Sequence, residues 1–440
     1  MGMKNFCVSA VAAAVFFVAG AMGAAADERP GCRLCGMYLD VYHRTMATAV
    51  NKDGAESTCG VADLLRLVDE GGGVGAFSKL TVHDFANGRE VDAKEASYVI
   101  GSEVVPDMVP NIIAFTGEEG AKKFVAEHGG EVISFGQAMN SVSPMGMTMP
   151  TRIQSAVPPP AGALSFGAGP MYMKMDEVMV GSDSVDPAQF VKGKMMGPKE
   201  METSGAMFMA SYGITNRTSV SVKMTHLDKT MEMYTMGGKK VTTTTNNGLG
   251  DTELTLRHNL WRDNLYSRFL TLQAGVTLPT GDFDTAFLDQ PGLQLGLGTF
   301  AVTGGLIGSM RAGDFWFHTQ ASYTLKPENS DDYKFGDTVT IGGAAHYTPT
   351  SDFMLGAEVD GVWTGHSEYQ GTEIARSGGF RSTVAGLLYW RFLTALGGNF
   401  NLMLSVATPL YEDMNDYAMG GGWSWKGLVS FKRRLPLFEE

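Results

Sequence analysis

Two cysteines and a methionine lie close together near the start of the chain, in Cys32-Arg33-Leu34-Cys35-Gly36-Met37. Thiolate and thioether sulfur are soft donors, which prefer Cu(I) to hard ions such as Mg²⁺ or Ca²⁺. A Cys-x-x-Cys pair also occurs in redox dithiols, where the spacing lowers the thiol pKa, and in halves of structural zinc sites. Zinc would need four ligands, and Cys59 with scattered histidines would have to complete the set. The donor types therefore favour copper, with a redox dithiol and zinc as alternatives.

The spacing of the methionines is a second feature with chemical meaning. Sixteen of the 28 methionines lie between Met145 and Met236, and many are separated by a single residue. Residues two apart on a β-strand share a face, and the opposite face carries lipid-compatible residues such as Phe166 and Phe208. We predict that these methionines face the lumen of a barrel and contact copper, with flexible core filling as the alternative. The predicted set is Met171, Met173, Met175, Met207 and Met209.

The N-terminus predicts export. Residues 1–26 combine Lys4, an apolar run and the small residues Ala24-Ala25-Ala26, as a secretory signal peptide does. No cysteine stands at the cleavage point, so we expect processing without lipid attachment. Cys32, Cys35 and Cys59 would remain, and an odd number of cysteines in an oxidising compartment leaves at least one free thiol.

Residues 28–142 predict a small α+β domain. Alternating apolar residues predict strands, and apolar residues at helical spacing predict two helices, the second ended by Gly129-Gly130. The strands are expected at 38–50, 80–85, 97–100 and 111–115, and the helices at 61–67 and 118–128.

Three motifs in this domain resemble the NosL family of periplasmic copper chaperones. They are Cys35-Gly36-Met37, Tyr98-Val99-Ile100-Gly101-Ser102 followed by Met108, and the helix that ends in Glu127-His128-Gly129-Gly130. The resemblance implies handling of Cu(I) for nitrous oxide reductase, with Cys35, Met37 and Met108 as the ligands. The chain differs from the family by an additional Cys32, which we include among the predicted ligands, and by the missing lipid-attachment cysteine.

Residues 143–162 predict a linker and residues 163–440 a barrel. The linker contains Pro144, Pro150 and the triplet Pro158-Pro159-Pro160, which favour a semi-extended spacer over a packed segment. Twelve segments of strand length follow, joined alternately by short turns and longer loops. This arrangement predicts an all-β, 12-stranded antiparallel transmembrane barrel with both termini in the periplasm, and a soluble β-sandwich is the alternative.

The segment 250–260 shows the alternation expected of a membrane strand. Leu254, Leu256 and Leu260 oppose polar residues such as Glu253 and Arg257, so one face suits lipid and the other water. Aromatic residues near strand ends predict an interfacial girdle. They are Tyr266, Trp316, Trp363, Trp390, Trp423 and Trp425.

The signature Gly248-Leu249-Gly250-Asp251, together with the Met-x-Met strands, resembles a class of outer-membrane barrels that is often associated with copper. Four carboxylates are predicted to face the lumen. They are Asp251, Glu253, Glu358 and Asp360. A structural role is expected for them first, with electrostatic attraction of cations as a second possibility.

Charge and motif content exclude several functions. A net charge of −13 argues against nucleic-acid partners, and the absence of a catalytic triad or a phosphate-binding loop argues against an enzyme. We expect a Gram-negative outer-membrane protein, in contact with membrane lipid. Its periplasmic domain would bind Cu(I), its barrel would pass the ion, and a periplasmic cuproprotein would be its partner. A barrel-tethered thiol-disulfide oxidoreductase and a barrel for small organic solutes are the alternatives.

Overall fold

The structure is a computed structural model and describes residues 30–434 apart from Arg33, Gly36, Gly72, Val109, 143–151, Asn264, Ser351 and Gly397. The predicted signal peptide and the first part of the predicted linker lie outside the described residues.

The N-terminal part folds as an α+β unit with two small antiparallel sheets. One sheet has the strand order β2-β1-β3-β4 and the other β6-β5-β7. The elements are β1 (Ala47–Asn51), β2 (Gly54–Thr58), α1 (Val61–Glu70), β3 (Lys79–His83), β4 (Glu90–Asp92), β5 (Ser97–Ile100), β6 (Ile112–Phe115), α2 (Glu118–His128), β7 (Glu131–Ile133) and α3 (Phe135–Val142).

Helix α1 organises the core of this unit. Its apolar residues recur at helical spacing, and Leu64, Leu65 and Val68 are fully buried against both sheets. Helix α2 ends where predicted, because Gly129 adopts a left-handed φ of 69° that residues with a side chain rarely take. The strands β2, β4 and β7 and the helix α3 were not expected, and the predicted strand 38–50 is reduced to β1 after a run of turns.

The C-terminal part is a closed antiparallel barrel of twelve strands. Closure follows from β25, which pairs with β24 on one side and with β8 on the other. The barrel strands are β8 (Ala163–Met175), β11 (Met196–Gly213), β12 (Thr218–Thr235), β14 (Thr252–Arg262), β15 (Arg268–Leu278), β16 (Ala301–Ala312), β17 (Phe315–Leu325), β19 (Thr338–Thr350), β20 (Phe353–Thr364), β23 (Gly379–Ala395), β24 (Gly398–Gly420) and β25 (Trp423–Arg434).

The two ends of the barrel differ, as the connection lengths predicted. Short turns join the strands at one end, for example between β11 and β12 and between β23 and β24. The other end carries long connections, which contain short strands where we expected loops. These additional elements are β9 (Glu177–Gly181), β10 (Asp183–Val185), α4 (Pro187–Phe190), β13 (Lys240–Leu249), β18 (Tyr333–Lys334), β21 (Ser367–Tyr369) and β22 (Thr372–Ile374).

Side chains alternate between an apolar outer face and a buried inner face along the barrel strands. On β14, Leu254, Leu256 and Leu260 are 39%, 44% and 46% exposed, whereas Arg257 and Asn259 are 7% and 0% exposed. The alternation predicted for residues 250–260 is confirmed. None of the described helices is both long and apolar enough to cross a bilayer.

Residues 152–157, which we call the lumen segment, run inside the barrel. The backbone N–H groups of Arg152 and Ile153 donate to Glu358 Oε2 at 3.0 and 3.3 Å, and the Arg152 guanidinium forms an ion pair with Asp360. Ile153 is 1% exposed. Two of the predicted lumen carboxylates therefore hold the chain, which agrees with the structural role expected for them.

The lumen segment continues across the inner faces of further strands. The Ala156 N–H donates to Ser309 Oγ at 2.8 Å, and Thr271 Oγ1 donates to the Ala156 carbonyl at 2.6 Å. Ala156 and Val157 pack with Trp316. The expectation of a spacer that is not packed is therefore wrong for this stretch, because the polar lumen wall supplies partners for its backbone.

Two aromatic residues of the predicted girdle lie inside the barrel. Trp316 is 3% exposed and packs with Phe269, which also contacts Tyr266. Trp363, Trp390 and Trp423 do lie on the outer face and are 45–50% exposed. Position near a strand end does not distinguish inward-facing from outward-facing aromatic residues. The face on which a side chain lies depends on strand register and not on its distance from the strand end.

Candidate metal site and methionine-lined lumen

A tight loop places the first two cysteines of the cluster. The Cys32 N–H donates to the Met37 carbonyl at 2.8 Å, and the Leu39 N–H donates to the Pro30 carbonyl at 2.9 Å. These bonds close the chain between Cys32 and Met37 into a loop. Cys32 is buried and Cys35 is half-buried within this loop.

A later stretch of the same domain contributes a third cysteine and a carboxylate to the cluster. Cys59 follows β2, and Asp63 lies in the first turn of α1, which starts at Val61. Unpaired backbone N–H groups give a helix N-terminus a partial positive charge, which stabilises nearby thiolates. Thr45 Oγ1 donates to the Cys59 carbonyl at 2.8 Å and fixes this approach.

These four residues form one cluster, which we call the thiol cluster. Cys35 Sγ lies 3.4 Å from Cys59 Sγ, and the Asp63 carboxylate lies 3.4 Å from Cys32 Sγ and 3.5 Å from Cys59 Sγ. All four donor atoms are within 4.8 Å of one another, and all three thiols are free. The arrangement can hold a metal ion with three sulfur donors and one oxygen donor.

Hydrogen bonding inside the cluster separates the acidities of the thiols. Bonds from Cys35 and Cys59 lower the pKa of Cys32, because they stabilise its thiolate. The bond to Cys32 raises the pKa of Cys35 and also that of Cys59, and burial adds to both shifts. The three thiols therefore differ in acidity, and any thiol that binds a metal as a thiolate must release its proton.

Arg66 supports the cluster from outside. Its guanidinium forms an ion pair with Asp63 at 2.9 Å, and the Asp63 side chain is fully buried. Groups that hold a ligand in place commonly affect metal affinity nearly as much as the ligand itself. The chain thus provides a defined orientation for its single carboxylate donor in the cluster.

The two predicted methionine ligands of this domain lie in adjoining segments. Met37 is half-buried at the end of the Cys32 loop. Met108 packs against the core, and its neighbour Asp107 lies so close to Gly60 that an added Cβ would be 2.1 Å from the carboxylate. Burial raises the pKa of Asp107 to about 7. The segment that contains Met108 therefore contacts Gly60, the residue that follows Cys59.

Cys59 and Asp63 are the cluster members that the predicted ligand set lacked. From the sequence, Cys59 was expected only as a third thiol outside the Cys-x-x-Cys pair, which could complete a zinc site. The useful signal was its position two residues before a predicted helix, with a carboxylate four residues further on. That spacing places both groups at the helix N-terminus, but nothing local indicated that the Cys32 loop would meet them.

Helix α1 also links the thiol cluster to the barrel. Asp63 and Arg66 lie toward its beginning, and Asp69 near its end forms an ion pair with Arg391 of β23. The Asn399 side-chain amide donates to the Asp69 carbonyl at 3.5 Å. The N-terminal unit therefore contacts the barrel end that carries the short turns.

A small cavity lies at this contact. Its volume is about 110 Å³, and its wall is formed by both units. Arg66 and Asp69 contribute from the N-terminal unit, while Tyr266, Trp316 and Lys432 contribute from the barrel. Arg66, which forms the ion pair with Asp63, therefore also lines the cavity between the N-terminal unit and the barrel.

The five methionines predicted in the barrel all lie on its inner side. Met207 is 7% exposed and belongs to a buried cluster that Met171 and Met209 contact. Met173 and Met175 line a larger cavity toward the long-loop end. We call the first group the lumen cluster; its buried members are Met207, Met354, Leu387, Tyr389, Met403 and Leu428.

The cavity at the long-loop end, which we call the methionine chamber, has a volume of about 560 Å³. Four of its methionines, Met201, Met231, Met233 and Met419, were outside the predicted ligand set, although Met231 and Met233 lie at the same spacing of two residues. The seven lining methionines are Met171, Met173, Met175, Met201, Met231, Met233 and Met419.

The remaining predicted lumen carboxylates have structural partners. Asp251 accepts backbone N–H bonds from Gly281 and Leu297 at 2.9 and 2.7 Å and so anchors a long loop. Glu253 forms an ion pair with Lys223 on the neighbouring strand. Neither carboxylate takes part in the thiol cluster.

Comparison with known proteins gives separate matches to the N-terminal and C-terminal parts of the chain. The NosL family model matches residues 23–142. The "Copper-binding lipoprotein NosL" of Stutzerimonas stutzeri is 30% identical over 120 residues, which is 24% of this chain and 59% of that protein. The chain therefore spans less than two thirds of the curated relative that it matches.

Solved structures resemble the two parts separately. An outer membrane channel from Pseudomonas putida F1 is 13% identical, covers 62% of this chain and 96% of its own, and has a TM-score of 0.47. The copper chaperone NosL from Shewanella denitrificans is 24% identical, covers 26% of this chain and 92% of its own, and has a TM-score of 0.23.

The fold and the cluster define a closed twelve-stranded barrel that carries a NosL-like α+β domain with a potential metal site. The family model described as "Putative MetA-pathway of phenol degradation" matches residues 199–425, which is more than half of the chain. The chain belongs to this family.

Proposed function

We propose that this chain is an outer-membrane protein that captures Cu(I) at the thiol cluster of its N-terminal domain and passes the ion through its methionine-lined barrel. The observation that carries the proposal is the convergence of three thiols and one carboxylate within 4.8 Å. The match to the copper-binding NosL relative supports the choice of metal.

The donor set fits monovalent copper. Thiolates are soft ligands that select Cu(I), whereas a carboxylate is a hard ligand that suits other ions better. Cys32, Cys35 and Cys59 would hold the ion, and Asp63 would accept protons or hydrogen bonds from the thiols. Met37 and Met108 are proposed as neutral thioether ligands that can take over from a thiol during transfer.

The surfaces of the two parts support the proposed location. The outer face of the barrel exposes apolar side chains such as Leu254, Leu256 and Val406, which suit a bilayer. The N-terminal domain contacts the end with the short turns, which is the periplasmic end of bacterial barrels. We therefore place the domain in the periplasm, where it could exchange copper with a periplasmic cuproprotein.

Transfer would use the geometry of the contact between the two parts. Helix α1 reaches from the thiol cluster to the barrel, and Arg66 lines the cavity between them. Beyond it, Met209, Met207, Met171, Met173 and Met175 form a column along β8 and β11. Thioethers bind Cu(I) without losing a proton, so each exchange would leave the charge of the wall unchanged.

The test is an anaerobic Cu(I) titration of the full chain in detergent against a chromophoric competitor. The variants are Cys35→Ser and Cys59→Ser, with Ser57→Ala on the nearby β2 strand as the control. We expect both cysteine variants to lose tight binding and the control to keep it. Unchanged affinity in the cysteine variants, or a cluster that binds Zn(II) but not Cu(I), would refute the capture step.

A redox function is a second candidate, because Cys35 Sγ and Cys59 Sγ are only 3.4 Å apart. A disulfide between these two would differ from the Cys32–Cys35 pair suggested by the sequence. An insulin-reduction assay on the full chain decides between the functions. Catalysis that requires Cys35 and Cys59 but tolerates copper chelation would favour the oxidoreductase.

A channel for small organic solutes is a third candidate, because the family description mentions phenol degradation and the methionine chamber is mainly apolar. Methionine lines adaptable binding surfaces as well as metal sites. Flux of phenol into proteoliposomes that is insensitive to Cu(I) and to the cysteine substitutions would favour this reading over copper transport.

A further inference from the structure

Three neighbouring strands of the methionine chamber each place one methionine at the same level of the barrel. Met175 of β8 lies opposite Met201 of β11, and Met201 lies opposite Met231 of β12. Directly opposed residues have Cβ atoms about 4.5–5.5 Å apart, so flexible side chains of this length can meet. All three line the same cavity. We call them the methionine row.

The row is enclosed by a loop from the long-connection end. Met201 is 6% exposed, and a Cβ added to Gly292 would lie 3.0 Å from its Sδ and 3.1 Å from its Cε. Gly292 thus permits a close approach of the loop backbone to the sulfur. Lys229 donates to the carbonyls of Gly292 and Gln294 at 3.0 and 2.6 Å, which ties the loop to β12.

The charged groups that line the chamber are engaged with other partners. Lys229 bonds the loop carbonyls, Arg376 forms an ion pair with Asp289, and Arg381 forms one with Glu412. The donors that the row offers are neutral sulfur atoms, which suit a soft monovalent ion and give little to Mg²⁺, Ca²⁺ or Zn²⁺.

We propose that Met175, Met201 and Met231 form a second Cu(I) site, made of three thioethers and located at the long-loop end of the barrel. The inference deepens the proposed copper function, but it depends on residues separate from the thiol cluster. The site would hold copper at the opposite end of the barrel from the domain that captures it. A neutral three-sulfur site binds Cu(I) without releasing protons, unlike the thiol cluster.

The test isolates the row by removing the thiol cluster. The full chain with Cys32→Ser, Cys35→Ser and Cys59→Ser, and with the two proposed thioether ligands of the first site replaced as Met37→Leu and Met108→Leu, is titrated anaerobically with Cu(I), and with Ag(I) as a second soft probe. We expect one equivalent to remain bound. Copper K-edge absorption should show sulfur neighbours in this variant although it contains no cysteine thiol in the described part of the chain.

Adding Met175→Leu, Met201→Leu and Met231→Leu should abolish the remaining equivalent, because leucine keeps the volume but lacks the sulfur. The matched control adds Met224→Leu and Met310→Leu, which lie on the outer face and are 41% and 43% exposed. The control should retain the equivalent. A mobility shift of unheated samples on electrophoresis verifies that each barrel is folded.

The outcomes separate this site from the capture step. If the cysteine-free chain binds no Cu(I), or if the methionine row variant binds as well as its control, the second site is refuted. Tight binding by the unsubstituted chain would then still support the thiol cluster. If the unsubstituted chain binds no more Cu(I), and no more tightly, than the cysteine-free chain, the row stands and the capture step fails.

Discussion

Replacing Arg152 by alanine should open the barrel. The Arg152 guanidinium pairs with Asp360 and holds the lumen segment against the inner wall. The substitution removes the side chain at the start of the described segment and leaves the Asp360 carboxylate, which is 5% exposed, without this partner. We expect the barrel strands to keep their pairing. The main effect should be on the equilibrium between the lumen segment seated against the inner wall and the displaced segment.

The size of the effect follows from the burial of the pair. Removing one partner of a fully buried ion pair costs about 3–5 kcal/mol. The Arg152 side chain is 28% exposed, so solvent screens part of the interaction and about 2–3 kcal/mol is a better figure. The ratio of displaced to seated segment should then rise about 30- to 150-fold, since each 1.4 kcal/mol is roughly a factor of ten.

Single-channel recording in planar bilayers measures this change as the fraction of time in open states. The control is Lys174→Ala, which breaks a 2.9 Å pair with Glu200 at a similar exposure of 26% and 28%. Lys174 lies between Met173 and Met175, which line the chamber, so its side chain is on the face opposite the lumen. Arg152→Ala should increase open-state occupancy and Lys174→Ala should not. Equal open-state occupancy in both variants and in the unsubstituted chain would refute the idea that the segment blocks the lumen.

Three further predictions concern the N-terminal domain. Arg66→Ala should weaken Cu(I) binding by about 10- to 100-fold, because it frees the buried Asp63 from its 2.9 Å ion pair, and a competitor titration that shows unchanged affinity would contradict this role. Arg391→Ala should loosen the domain from the barrel by breaking the pair with Asp69, whose side chain is 11% exposed; hydrogen exchange at the end of α1 should then increase, whereas unaltered exchange would count against the contact. Asp84→Asn should destabilise the domain at neutral pH. Burial acts to raise the pKa of Asp84, but hydrogen bonds from the Thr116 hydroxyl and from backbone N–H groups outweigh it, so the pKa lies below its ordinary value of 3.8. A depressed folded-state pKa gives stability that is present above about pH 4 and is lost as the pH falls through the folded-state value. The stability difference between Asp84→Asn and the unsubstituted chain, measured by pulse proteolysis, should therefore shrink in acid; a difference that is constant with pH would refute the assignment.

Local patterns were sufficient to predict most of the architecture. The period-two alternation on β14 and the alternating loop lengths predicted twelve antiparallel strands, and β8 begins and ends at the predicted residues 163 and 175. The inward face of Met207 and Met209 was also predictable, because Phe208 between them had to face outward. Each of these features depends on neighbours along one strand.

The composition of the sites depended on contacts between distant parts of the chain. Cys59 and Asp63 meet the Cys32 loop only because β1 and β2 return the chain to it. The row of Met175, Met201 and Met231 depends on strand register, and a shift of one residue would turn each methionine to the other face.

The sequence by itself thus determined the barrel, the α+β domain and the supply of sulfur donors, because side-chain periodicity and turn residues act over a few positions. The tertiary structure decided which donors share a site and that residues 152–157 fill part of the lumen. These outcomes arise from the closure of the sheet and from backbone groups that must find hydrogen-bond partners inside it. Neither requirement can be identified from a short stretch of the sequence.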